Sequence, residues 1–249
     1  MPTALAKIVG DYANDIGRNG TNWYTALSKL NLLPQSIPPL PSNIHEILMA
    51  NCPIYSDKRV NDTHSLFLFP AGTIDTLAER FFGVPINPLT DCLASAKRHT
   101  LSDEFTKCEW GLVTNDLLPD SREKTHEEQK KMIQEIRDRA FLPYEVPPFK
   151  YALAANLLNT AAEGDRSLWL NRNDIEGRTR VQETFRYAPY LFGSEVREET
   201  FSFGNSRCNS TSGVQQATSI EDCRSRSLFL GVAALYRFPD PRPRFCVLV

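Results

Sequence analysis

His64-Ser-Leu-Phe-Leu-Phe69 carries four consecutive large apolar residues and is closed by Pro70 and Gly72. A run this short, bounded by turn residues, has the length of a strand. Trp110-Gly-Leu-Val-Thr114 reads the same way, as a buried strand left through Asn115-Asp116 and Leu117-Leu-Pro-Asp-Ser121. These two runs interrupt a first half in which the apolar spacing is otherwise helical.

Residues 3–17 place Leu5, Ile8, Val9, Tyr12 and Ile16 three and four apart, one stripe down a helix that Gly17 and Asn19-Gly20 end. A short helix over 23–30 then runs into Pro34, Pro38, Pro39 and Pro41, where each ring restricts the residue before it and gives a stiff connector. Ser42 is positioned to cap the next helix, which turns Ile44, Ile47 and Leu48 inward before Cys52-Pro53. Further helices are expected over 73–82 and 88–99. Thr125 and Glu128 have capping-box spacing at the start of a largely solvated helix, and 149–162 is apolar on most sides, hence buried.

After Gly164 the texture changes. Residues 167–170, 178–187, 198–203 and 227–238 carry aromatic and β-branched residues between Gly, Asn and Ser, the pattern of strands, with 205–219 as a polar loop among them. The expected class is α+β: a helical N-terminal half followed by a mainly antiparallel sheet in a single compact domain. The boundaries follow the punctuation, with a helical N-terminal segment over 1–34, the α+β domain over 35–238 and an extended Pro/Arg tail over 239–249.

The 28 Lys and Arg against 30 Asp and Glu give no field to hold a polyanion, so a nucleic-acid partner is not expected. The N-terminus meets Lys7, Asp11 and Asp15 before an apolar run can form, unlike a secretory signal. No window approaches the roughly 18 apolar residues of a spanning helix. A cytoplasmic chain without a transmembrane segment is the expectation, and its six cysteines are then free thiols.

Few motifs carry chemistry. His45-Glu46 would suit a helical zinc site only with a second histidine at position 49, which is Met49. No CxxC, GxGxxG, GxxxxGK or GxSxG occurs, so neither a metal nor a cofactor is expected. A thiol nucleophile needs only one cysteine and a histidine that meet in space. Cys52 and His64 are the candidate catalytic pair, because the strand beginning at His64 can fold back on the turn at Cys52. The plainer alternative is a buried apolar cysteine and a strand-end histidine. Cys92 and His99 stand about two turns apart on their helix, roughly 10.5 Å, too far for a direct hydrogen bond.

Leu40-Pro-Ser-Asn-Ile-His-Glu-Ile-Leu48 resembles the start of an F-box, but Cys52-Pro53 interrupts it after one helix. A longer resemblance runs through LPSNIHEIL, VNDTHSLFLFP, GLVTNDLLPDSR and GVAALYRF, over residues 22–238. These stretches resemble an uncharacterised multi-paralogue family of chlamydia-like, amoeba-associated intracellular bacteria. The resemblance implies no catalytic residue, only that the protein acts inside a eukaryotic host, exported to its cytosol or a membrane surface.

The last residues, Cys246-Val-Leu-Val249, have the layout of a prenylation box, with Val249 outside the usual terminal choices and leaning it toward a geranylgeranyl chain. Pro239, Pro241 and Pro243 deny the tail a helix or strand, and Arg237, Arg242 and Arg244 add charge for peripheral contact with an anionic leaflet. The plainer alternative is a terminal apolar strand. Taken together, the residues point to a soluble interaction protein with a protein partner, a host-directed effector with Cys246 as its lipid-attachment residue. The alternative is a thiol hydrolase or transferase using Cys52 and His64.

Overall fold

A computed structural model describes residues 18–83, 104–122, 124–140, 143–163, 176–187, 197–206, 230–231 and 233–238. The helices expected over 3–17 and 88–99, the strand over 167–170, residues 207–219 of the expected loop and the tail over 239–249 lie outside them. In chain order the elements are α1 (Arg18–Lys29), α2 (Ile44–Met49), α3 (Val60–Thr63), β1 (His64–Phe69), β2 (Gly72–Thr73), α4 (Ile74–Phe82), β3 (Glu104–Phe105), β4 (Glu109–Thr114), α5 (His126–Ala140), β5 (Tyr144–Glu145), α6 (Phe149–Glu163), β6 (Glu176–Tyr187), β7 (Arg197–Ser206), β8 (Leu230–Gly231) and β9 (Leu235–Arg237).

The fold is α+β, and its largest sheet is antiparallel throughout, in the order β1-β4-β9-β5. Three of those strands come from the helical half and the fourth returns from near the C-terminus, so helices and strands are more interleaved than their spacing in the sequence suggests. β2 pairs with β3, while β6 pairs antiparallel with β7 and parallel with β8, with a bulge between Arg180 and Thr184. The expected strand over 198–203 extends through Asn205 and Ser206.

All six residues of β1 are buried although it ends the strand order, because α1 and α6 pack against it. Residues 21–30, which the sequence places in an N-terminal segment, contribute to this core: Trp23, Ala26, Leu27 and Leu30 are all buried. Trp23 meets Trp110 edge-on, with ring centroids 5.0 Å apart, a geometry that contributes ~1 kcal/mol beyond the area buried. The Trp110 indole N–H donates to the Pro38 carbonyl at 2.8 Å, which ties the proline connector to β4. At the far end of the α1–α6 contact, Asn22 donates to Glu163 at 2.6 Å and the Lys29 ammonium to the last-turn carbonyl of Ala162 at 3.3 Å.

Local chemistry sets the helix ends. The Thr125 hydroxyl accepts from the Glu128 N–H at 3.3 Å and the Glu128 carboxylate accepts from the Thr125 N–H at 2.7 Å, the expected capping box. Thr73 caps α4, and Gly83 ends it in the left-handed region at φ 70°, where a side chain would be strained. The cap before α2 is Asn43, not Ser42, and makes no side-chain hydrogen bond; that six-residue helix is held by burial of Ile44 and Leu48 instead.

Partners across β1 and β4 share a face, so Leu66 and Leu68 lie with Leu112 and Trp110, while Phe67 lies opposite Gly111. The absent side chain at Gly111 makes room for a neighbour: a Cβ there would stand 3.0 Å from the Phe69 ring and 3.4 Å from Leu235. Phe69 cannot retreat, because it stacks on Phe105 at 5.6 Å and meets Tyr151 edge-on at 5.0 Å. Gly111→Ala should therefore destabilise the protein by ~1–3 kcal/mol and Gly111→Val by more, read as a lowered urea midpoint. An unchanged midpoint for both would show that the ring is free to move.

Candidate functional site

Where α3 runs into β1, the chain buries an imidazole completely: His64 is 0% exposed. Its Nδ1 lies 2.9 Å from the Thr63 hydroxyl, and its Nε2 lies 3.3 Å from the Tyr144 hydroxyl of β5. The tautomer follows from counting protons. With the one Thr63 hydroxyl hydrogen on the carbonyl of Arg59 or Val60, at 3.0 and 3.2 Å, its oxygen accepts from the ring, and every group then has a partner. The proton is therefore on Nδ1, and Nε2 accepts from the Tyr144 O–H. Burial pushes the imidazole down to about 4, against a smaller upward pull from the Val60 carbonyl that accepts from the ring. The ring is neutral at pH 7.

Cys52 stands beside this chain. It is 3% exposed and closes the neck of a loop, its N–H donating to the Lys58 carbonyl at 2.7 Å beside the Asn51–Arg59 bridge. Burial raises the Tyr144 phenol above its ordinary range, and the negative charge that a Cys52 thiolate would carry raises it further, with Tyr236 adding to both. Tyr55, whose hydroxyl donates to the Leu117 carbonyl at 3.0 Å, is raised likewise by burial, then by Asp116 and Cys52. The two residues selected from the sequence thus share one neighbourhood, with Tyr144 touching His64 and lying near Cys52. Tyr144 itself was not foreseen; its signal was slight, a five-residue segment, Pro143-Tyr-Glu-Val-Pro147, bounded by prolines.

Around them the sheet end is polar and dry. Thr114 is 0% exposed, and its hydroxyl accepts from the Ala234 N–H at 3.1 Å, fixing the approach of β9. Ser65 donates to the Asn115 side chain at 2.6 Å, and the Asn115 N–H donates to the Thr63 carbonyl at 2.8 Å. What this arrangement can do chemically is hold a proton in a chain from Tyr144 through His64 to Thr63. The imidazole lone pair that a thiol would need already accepts from a phenol.

The opposite face of the sheet is charged. Arg237 of β9 pairs with Glu145 of β5 at 2.5 Å through Nε and 3.0 Å through Nη2, and its guanidinium lies 5.4 Å from the centre of the Tyr151 ring. Burial would lower the guanidinium, but Glu145 and, less strongly, Tyr151 together hold Arg237 above its ordinary range. The Tyr151 hydroxyl donates to Glu109, and Lys150 caps the Phe105 ring at 4.9 Å while donating to the Glu104 carbonyl at 2.8 Å. Arg237, grouped by the sequence with the tail arginines, is thus engaged within the sheet. His45 is on the exposed side of α2. Among the described residues no group of three or more His, Cys, Asp or Glu is arranged to hold a metal, and no helix is long and apolar enough to cross a membrane. Cys246 lies outside the described residues.

The depressed imidazole fixes a pH dependence. Above pH 6.5 the ring is neutral folded and unfolded; below it the unfolded chain binds a proton that the native state refuses, until about pH 4. His64 should therefore remove about 3 kcal/mol of stability across that window, and His64→Gln should remove that component from the stability–pH curve measured by urea unfolding. A second substitution isolates the hydrogen bond: Tyr144→Phe should destabilise the protein by ~1–2 kcal/mol at pH 7, because Nε2 is left buried without its donor.

No protein-family model, no curated protein and no solved structure matches this chain.

Proposed function

We propose that this chain is a protein-binding α+β module, host-directed, whose Cys52–His64 neighbourhood serves structure rather than thiol chemistry. The observation that carries this reading is the closure of that pair: Cys52 is 3% exposed and His64 0%. A nucleophile must reach its substrate, and its base must have a free lone pair near neutral pH. Here the base is buried, its lone pair is occupied, and it is depressed to about 4.

The surface supports a protein partner. Along α5, Ile133 and Ile136 turn inward and Glu127, Lys131, Glu135, Arg137, Asp138 and Arg139 turn outward. Interspersed charges of both signs favour a partner with a complementary mixed pattern over a polyanion. The host-directed part rests on the resemblance carried by LPSNIHEIL, VNDTHSLFLFP, GLVTNDLLPDSR and GVAALYRF. In a chain that ends at Val249, a geranylgeranyl group on Cys246 together with Arg242 and Arg244 would supply the two signals that stable membrane attachment requires.

Competition labelling of the native protein with an electrophile at pH 7 tests the central part. Cys52 should react at least ~100-fold more slowly than the partly exposed Cys108, since its reaction waits on local opening. Preferential fast labelling of Cys52 would overturn the reading in favour of a thiol enzyme. For the tail, incubation with a geranylgeranyl donor and its transferase should add one prenyl group by mass, and Cys246→Ser should abolish the addition; no addition removes the anchor.

A further inference from the structure

We propose that Ser36-Ile-Pro-Pro-Leu-Pro-Ser42 is a preformed polyproline ridge on the protein surface, and that its partner is a protein domain with an aromatic-lined groove of the WW kind.

Three prolines leave this stretch little conformational choice. Each ring holds its own φ at about −65° and restricts the residue before it to extended backbone, so every residue from Ile37 to Pro41 is constrained in one way or both. Residues 37–41 accordingly belong to no helix, strand or turn. A polyproline helix repeats every three residues, and the burial repeats with it. Ser36, Pro39 and Ser42 are exposed, Ile37 and Leu40 pack against the hydrophobic core, and Pro38 and Pro41 are half-buried between them. The inner side is fixed at two points: the Trp110 indole donates to the Pro38 carbonyl at 2.8 Å, and the Ile44 N–H donates to the Pro41 carbonyl at 3.0 Å.

The outer side has the chemistry of a proline-recognition ligand. Pro38 and Pro41 stand at the PxxP spacing that aromatic grooves read, with Pro39 projecting between them. Leu33, just upstream, adds an apolar side chain that is 36% exposed. From Asn31 to Asn43 there is no charged residue, so a groove that also needs an arginine or lysine for an acidic pocket finds none here. The contact is then ring packing and hydrogen bonding. Because the protein holds the ridge in place, the ordering cost that a free peptide meets on binding is largely met in advance. This partner class rests on the protein-binding reading, but the Cys52 labelling that tests that reading does not involve the ridge, so the two can fail separately.

A purified WW domain that takes Pro-Pro-Leu-Pro peptides, titrated into the full chain and followed by calorimetry, is the test. Saturable binding is expected, tighter than to a free peptide of residues 33–43 and little changed by added salt. Pro39→Ala should weaken it at least ~10-fold, while the urea midpoint of the protein moves little because Pro39 is exposed. Binding to the peptide but not to the full chain would show the ridge closed to a groove and overturn the proposal, as would undiminished binding by Pro39→Ala or no binding to either. Should Pro39→Ala disturb the fold, replacing the groove tryptophan of the WW domain takes its place: loss of binding supports the ridge, and binding that survives is contact elsewhere and overturns it.

Discussion

A single imidazole with no access to water constrains how four parts of this chain meet. His64 is satisfied only when α3 presents the Thr63 hydroxyl on one side of the ring and β5 presents the Tyr144 hydroxyl on the other. β5 arrives there because β9 holds it, and β9 is placed by its ladder with β4 and by Thr114, the cross-strand partner of His64 itself. A buried polar ring left without partners is costly, so arrangements of the same apolar residues that miss either contact are disfavoured. The hydrophobic core supplies the bulk of the stability; the ring helps select one packing of it.

The elements legible in the sequence are those whose cause is local. β1 and β4 show as short apolar runs between turn residues, α6 as a helix apolar all round, and the start of α5 as a threonine and a glutamate three apart. What was not legible depends on distant partners. β5 is two residues long and exists because Tyr236 and Leu235 pair with it across some 90 positions. Gly111 reads as a poor strand residue until the Phe69 ring beside it is known. The site divides in the same way. Cys52 and His64 stand out in the sequence as a thiol and an imidazole twelve positions apart, whereas Tyr144, near which both lie, comes from 80 residues further along the chain and has no counterpart in local spacing.

The sheet's two faces meet polarity differently. On one, neutral groups exchange hydrogen bonds without solvent; on the other, Arg237 and Glu145 pair where both remain partly exposed, and aromatic rings fill the space between the charges. The first arrangement is sensitive to any added proton, the second to salt and to the loss of either partner. This separation explains how β9, only three residues long, can occupy a central place: each neighbour contributes side-chain contacts as well as ladder bonds.

The direct measurement is the side-chain nitrogen chemical shifts of His64 by NMR across a pH titration. A proton on Nδ1, an unprotonated Nε2, and no change between pH 7 and about pH 5 are the expected results. Titration near the ordinary value of about 6.5, or a proton on Nε2 at neutral pH, would contradict the account.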